Sequence, residues 1–326
     1  MNFSESVVDS VPAIGKKIFV SLHKHIVLIM CLLISLFTMS SSVYAVTQAP
    51  KVVASIPPFA MLSQQLLGAK GDVHLISQQG SPHHRILKPS DVKELATADA
   101  VVWVGDALEQ YLGRFESRYQ SKMFAMLDNV SEAHVIHTGG HDDHHGHDHH
   151  HHDHKTNVDP HIWLSKDAII EFAGVLLERF STISPDNRGY YQQNFNDLVV
   201  SLKDADKAWQ QSLPEEVLPF FVYHDAYSYL GRDTGLQPMA ILTVNPGVKP
   251  SAAKLRKLMK QLAAIERACV FFEPEFQKVR LDNLSDAQLH YTLLDPVASQ
   301  LDWQRTDYRS FLDSLVNEMA GCLKQN

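Results

Sequence analysis

Three histidines stand where a chain can aim a side chain outward from a framework. His83 lies in Gly80-Ser81-Pro82-His83-His84, His161 in Asp159-Pro160-His161-Ile162-Trp163, and His224 directly follows the apolar run Phe220-Phe221-Val222-Tyr223. Glu273 and Asp295 each follow an apolar run in the same way. Neutral imidazole binds borderline-soft cations near pH 7 without giving up a proton, and three imidazoles with a carboxylate make a donor set for tetrahedral zinc. The sequence has no HExxH and no local pair of cysteines. Such a site must therefore be gathered from distant parts of the chain.

A second group of histidines has a different character. His141, His144, His145, His147, His149, His150, His151, His152 and His154 fall within fourteen positions, interleaved with Asp142, Asp143, Asp148 and Asp153. The run holds no apolar residue, so nothing offsets the entropy lost on ordering it, and it reads as a solvated tract. A purification tag is terminal and purely histidine; this run is internal and interleaved with aspartate. Metal capture by an accessory loop is the reading it favours over an inert polar linker.

The elements that must position the candidate ligands follow an alternating grammar. Apolar runs at 51–56, 73–76 and 100–104 read as strands, with helical spacing at 59–67, from a Ser90 cap onward, and at 108–115. Pro57-Pro58 is expected to stop the first strand. Ser165 caps a helix running through Phe180. From Pro185 to Pro214, apolar residues recur every three or four positions, which predicts one long rigid helix. The grammar then repeats, with strands at 220–223, 239–241, 269–272 and 290–294, a helix capped by Ser251, and a last helix at about 308–323. Continuous apolar strands alternating with helices imply an α/β fold with mainly parallel sheets covered on both faces. The expected organisation is a leader over 1–45, an N-terminal lobe over 46–183 that includes a His-rich loop at 138–158, a linking helix over 184–213, and a C-terminal lobe over 214–326. Ligand groups in such folds gather at the carboxyl ends of strands.

Composition narrows the function classes. The 326 residues suffice for two cores, and a net charge of -8 with no long basic stripe makes nucleic acid and anionic membrane surfaces poor partners. Lys16, Lys17 and Lys24, the apolar stretch from Ile26 to Met39, and Val43-Tyr44-Ala45 together read as a cleaved export signal. Cys31 would leave with it, so Cys269 and Cys322 remain for the mature chain. Export to an oxidising compartment favours a disulfide between them over two separate buried thiols. No Walker loop supplies a nucleotide site.

Several segments, taken in order, resemble the cluster family of zinc, manganese and iron substrate-binding proteins, and within it the periplasmic zinc-binding proteins of high-affinity zinc ABC importers. They are Pro82-His83 through Lys88-Pro89-Ser90-Asp91, Ala100 to Gly105, Asp159-Pro160-His161-Ile162-Trp163-Leu164, His224-Asp225-Ala226-Tyr227, Lys249-Pro250-Ser251, Phe272-Glu273-Pro274-Glu275-Phe276 and Leu294-Asp295-Pro296. The resemblance implies two βα lobes joined by a long helix, with one metal in the cleft between them. It places ligands at His83, His161 and His224, with Asp295 or water as the fourth. His224 favours zinc over manganese. Asp225 and Glu273 are the neighbouring carboxylates expected to orient these ligands, and Asp225 is equally placed to cap the following helix. The His-Asp tract resembles the variable loop of zinc members, and Cys269 with Cys322 their disulfide.

The implied function is non-enzymatic. A monomer in the periplasm captures zinc, its transported ligand, and delivers it to an inner-membrane zinc permease driven by a cytoplasmic ATPase, with other periplasmic zinc-binding proteins as further partners. No organic cofactor is expected. The competing class is a secreted zinc hydrolase, since three histidines and an open position also describe catalytic zinc. No convincing constellation of base and nucleophile supports it.

Overall fold

In the computed structural model of the chain, the described residues are 49–76, 78, 80–138, 157–243, 251–274 and 287–324, with isolated positions before 49. The His-Asp tract and all but those isolated positions of the expected export signal lie outside them. Among the described residues no helix is long and apolar enough to cross a membrane.

Strand β1 (Lys51–Ala54) shows why both faces of the first sheet are covered. Val52 and Ala54 enter one apolar cluster while Val53 enters another, because successive side chains on a strand point to opposite faces. The chain then forms helix α1 (Pro57–Leu67), β2 (Asp72–Leu75), α2 (Pro89–Thr97), β3 (Ala100–Trp103), α3 (Gln110–Tyr119) and β4 (Met123–Ala125). All four strands are parallel, in the order β2-β1-β3-β4. Pro57 and Pro58 do more than end β1: they occupy the first positions of α1, where a missing N–H costs nothing. Helix α2 likewise starts earlier than a Ser90 cap predicts. Pro89 opens it, and the Asp91 carboxylate accepts from the Lys88 N–H at 2.8 Å.

After β4 come α4 (Lys166–Ile183), capped by Ser165 Oγ accepting from the Ala168 N–H at 3.3 Å, then α5 (Arg188–Lys203) and α6 (Ala205–Ser212). The single long helix expected between the lobes is thus two helices in sequence, turning at Asp204. The physical reason is a side chain entering the ladder. Arg309 donates to the Ser201 carbonyl at 2.5 Å and to Asp313, which in turn accepts from the Trp209 indole at 2.6 Å. The buried face runs on through the turn, from Tyr191, Leu198 and Leu202 to Ala205 and Trp209.

The second sheet comprises β5 (Phe220–His224), β6 (Ala240–Thr243), β7 (Arg267–Phe272) and β8 (Gln288–Leu293), all parallel in the order β6-β5-β7-β8. Helix α7 (Ser228–Thr234) follows β5, α8 (Ala252–Leu262) precedes β7 and is capped by Ser251, and α9 (Tyr308–Leu323) closes the chain. Phe220 and Val222 face a core shared with the first lobe, and Phe221 and Tyr223 face a separate cluster under α8. The shared core contains Val52, Trp163, Phe271, Leu294 and Tyr308, so the two lobes meet through continuous apolar packing.

Cys269 on β7 and Cys322 on α9 form a disulfide across a sequence separation of 53. In the chain-entropy account, closing such a loop stabilises the fold by about 4 kcal/mol. Glu109, fully buried, accepts from the Val104 and Gly105 N–H groups at 2.7 and 3.3 Å. Burial pushes its carboxyl up to about 7, against the lowering effect of Ser55 and these N–H donors.

Two measurements test these features. Reduction of the disulfide is expected to lower the urea midpoint by an amount equivalent to a few kcal/mol. Glu109 keeps its proton in the fold at pH values where the unfolded chain has lost it, so its contribution is complete below about pH 4.5 and lost as pH rises to about 7. Glu109→Gln should therefore lose less thermal stability between pH 5 and 8 than the parent; equal slopes would refute this.

Candidate metal centre

The strand alternation that builds the second sheet also aims the site. Phe220, Val222 and His224 share one face of β5, and that face looks toward the other lobe. On the neighbouring strand β7, Cys269 and Phe271 face the same core, and continuing the alternation by one step brings Glu273 to that side. The contact is direct: His224 Nδ1 lies 3.2 Å from Glu273 Oε1. Tyr227, buried beside them, donates to Glu273 Oε1 at 3.5 Å.

From the first lobe comes His161, 3 % exposed, at the entry to the tight turn Ile162–Leu164. Asp159 Oδ1 accepts twice from it, from the backbone N–H at 3.0 Å and from Nδ1 at 2.7 Å. An Asp side chain bonding the backbone two residues on is a standard turn device, and here the same oxygen also fixes the ring. His83 completes the group from the loop after β2, where its backbone N–H donates to Ser81 Oγ at 3.3 Å.

The three rings are crowded together. Centroids are 5.6 Å apart for His83 and His161, 5.5 Å for His83 and His224, and 4.7 Å for His161 and His224. One ligand nitrogen from each lies within 4.8 Å of the others, and among the described residues this is the one group of three or more candidate donors so arranged. Burial, then the neighbouring His161, His224 and His84, push His83 down to about 2. Its Nε2 is buried without a hydrogen-bond partner. The rings border a cavity of about 20 Å³, closed by Trp163, Pro274 and Pro296. That is room for one water-sized occupant.

Each expected site residue thus has a definite place. His83, His161 and His224 come together. Asp295 stands outside the group of converging donors: Oδ2 accepts from Ser299 Oγ and the Gln300 N–H, both at 2.9 Å, while Oδ1 is buried without a partner. The turn it caps includes Ala298 at a φ of 54°, a left-handed conformation uncommon for a residue with a Cβ. Asp225 accepts from the Ser228 hydroxyl at 3.3 Å, at the start of α7, so its observed bond is the helix-end contact, and Glu273 is the carboxylate on His224. The nine tract histidines lie outside the described residues. Sequence reasoning passed over Asp159, whose signal was the Asp-x-His spacing.

Comparison with known proteins bears on what this arrangement is. A protein from Haemophilus ducreyi named high-affinity zinc uptake system protein ZnuA is 30% identical over 289 residues, 84% of this chain and 93% of that protein. Its namesake from Yersinia pestis is 29% identical over 289 residues, 84% of this chain and 91% of that protein. The solved structure of FpvC from Pseudomonas aeruginosa in complex with Mn2+ superposes with a TM-score of 0.68 at 20% identity, covering 84% of this chain and 98% of that one. This last likeness speaks to the fold alone. The sequence model of zinc-uptake complex component A, periplasmic, matches residues 52–322, and the chain belongs to that family, ZnuA.

Proposed function

We propose that this chain is a periplasmic solute-binding protein that captures zinc between its lobes, through His83, His161 and His224, and delivers it to an inner-membrane ABC permease. The observation that carries the reading is the group of three converging imidazoles, two of them held through Nδ1 by a carboxylate. Carboxylates at Asp159 and Glu273 set the ring orientation, leave Nε2 as the donor and raise its basicity. They also supply negative charge near a dication that has left water behind.

Three imidazoles suit zinc, nickel or copper better than the oxygen-seeking cations, and a cavity this small favours a low coordination number. Water or Asp295 takes the fourth position; Asp295 Oδ1 is buried without a partner but stands outside the converging group, so it reaches the metal only if its loop shifts. Zinc is cargo in this reading, so the site has to release it, and membership of an importer family makes the chain a binding component and not an enzyme. Export through cleavage after residue 45 accounts for the leader, and the disulfide suits the oxidising compartment beyond the inner membrane. The His-Asp tract adds weak ligands, which raise the number of ions held without forming the tight site.

The decisive experiment removes residues 141–154 and measures zinc affinity by chelator competition. Deletion should leave the tight site unchanged and reduce the number of ions bound. In that background His83→Ala, His161→Ala and His224→Ala should each weaken tight binding by at least 100-fold; three unchanged affinities would sink the assignment. Glu273→Gln and Asp159→Asn, which keep shape and lose charge, should each cost roughly 10- to 100-fold.

A further inference from the structure

One hydroxyl ties the two ends of the histidine-rich segment to the opposite lobe, immediately beside a proposed ligand. Tyr229, on α7 of the second lobe, is fully buried. Its Oη accepts from the Ile136 N–H at 3.0 Å and donates to the Asp159 carbonyl at 2.9 Å. Ile136 and Asp159 are themselves paired, Asp159 N–H to Ile136 carbonyl at 2.8 Å. Thr138 N–H donates to the Asn157 carbonyl at 2.8 Å, and His137 and Val158 form an antiparallel bridge. Residues 136–138 and 157–159 thus make a short two-stranded stem, and Tyr229 grips it where it meets the protein.

The grip falls on the residue that matters for the site. The backbone of Asp159 is held by Tyr229, and its side chain holds His161 through both Nδ1 and the backbone N–H. A carboxylate can orient an imidazole only if its own backbone is fixed, since a displacement of Asp159 passes directly into the ring. Arg232, one turn further along α7, reaches the same region by another route, to the His134 carbonyl at 3.1 Å and Ser165 Oγ at 3.2 Å. It does not touch Asp159 in these contacts, although its guanidinium also lies over the Tyr229 ring, 5.3 Å from the centroid, a packing contact that leaves the Tyr229 hydroxyl's own bonds in place.

We infer that Tyr229 is a positioning residue for the metal site, acting through Asp159 on His161 from the opposite lobe. The inference rests on the zinc-site reading above. Part of the geometry of a first-lobe ligand is then set by a second-lobe hydroxyl, so the complete donor set requires the lobes to be docked at α7.

A double-mutant cycle on the full chain tests this, with zinc affinity from chelator competition, the Co2+ d–d spectrum and the thermal midpoint as readouts. Tyr229→Phe keeps the ring and removes only the hydroxyl. It should weaken zinc roughly 3- to 10-fold in the parent and less than twofold in an Asp159→Ala background, and its Co2+ spectrum should shift toward that of Asp159→Ala. Arg232→Met, which loosens the same contact between lobes without touching Asp159, should lower the midpoint and leave zinc affinity within twofold. An equal loss from Tyr229→Phe in both backgrounds, an unchanged affinity, or an equal loss from Arg232→Met would overturn the assignment. His161→Ala separates the two readings: if it abolishes tight binding while Tyr229→Phe does nothing, the site stands and the role of Tyr229 falls. Should Tyr229→Phe fold poorly, the His161 Nδ1 resonance in Asp159→Ala and Arg232→Met shows which contact sets the ring.

Discussion

Three imidazoles pressed together around a small cavity constrain everything around them. The ring centroids lie within 5.6 Å of one another, and burial with the neighbouring imidazoles holds the His83 ring well below the usual histidine range. His83 therefore offers an unprotonated nitrogen to a cation in this crowded space. Holding it open for that purpose costs solvation at every ring. The supporting structure offsets this cost by occupying the outer nitrogens of His161 and His224 with the carboxylates Asp159 and Glu273. The site is thus a layered arrangement in which acids fix bases and bases await the metal.

The layering depends on how the lobes join. Independent lobes on a flexible hinge would carry separate cores and a polar interface. Here Trp163 of the first lobe donates its indole N–H to the Pro296 carbonyl at 2.7 Å, and Tyr308 donates to the Trp163 carbonyl at 2.7 Å, all within one shared core. Pro296 directly follows Asp295, so the strap that closes the second lobe's contribution is pinned to the residue two places after His161. Such packing favours small shear adjustments over wide opening.

Much of this was legible in the sequence, and the exceptions have physical causes. Continuous apolar runs gave the parallel sheets because both faces of each are buried, as Val52 and Val53 show. The ligand histidines could be picked out as candidates from their places in loops and at strand ends, but only the resemblance of their surrounding segments made them a set, for no local spacing links His83, His161 and His224. Strand β4 was missed because three residues, Met123 to Ala125, carry no periodic signal of their own. The turn at Asp204 depends on Arg309, far away in sequence, and composition is blind to it. Asp225 and Glu273 look alike as acids at strand ends. Counting alternation along the strands separates them, since Glu273 keeps the parity of Phe271 and faces the shared core, whereas Asp225 is one step out of phase with His224.

The stem formed by 136–138 and 157–159 carries an evolutionary consequence. Its strands are bridged at His137 and Val158, so the two ends of the histidine-rich segment are held together whatever lies between them. The entropy of closing a loop grows by only about 0.6 kcal/mol for each doubling of its length, and nothing in that term depends on composition. Insertions, deletions and histidine expansions there can accumulate without moving His161. The stem thus separates His161 from changes in length or composition between residues 138 and 157, and the number of histidines there can differ while the cleft stays the same.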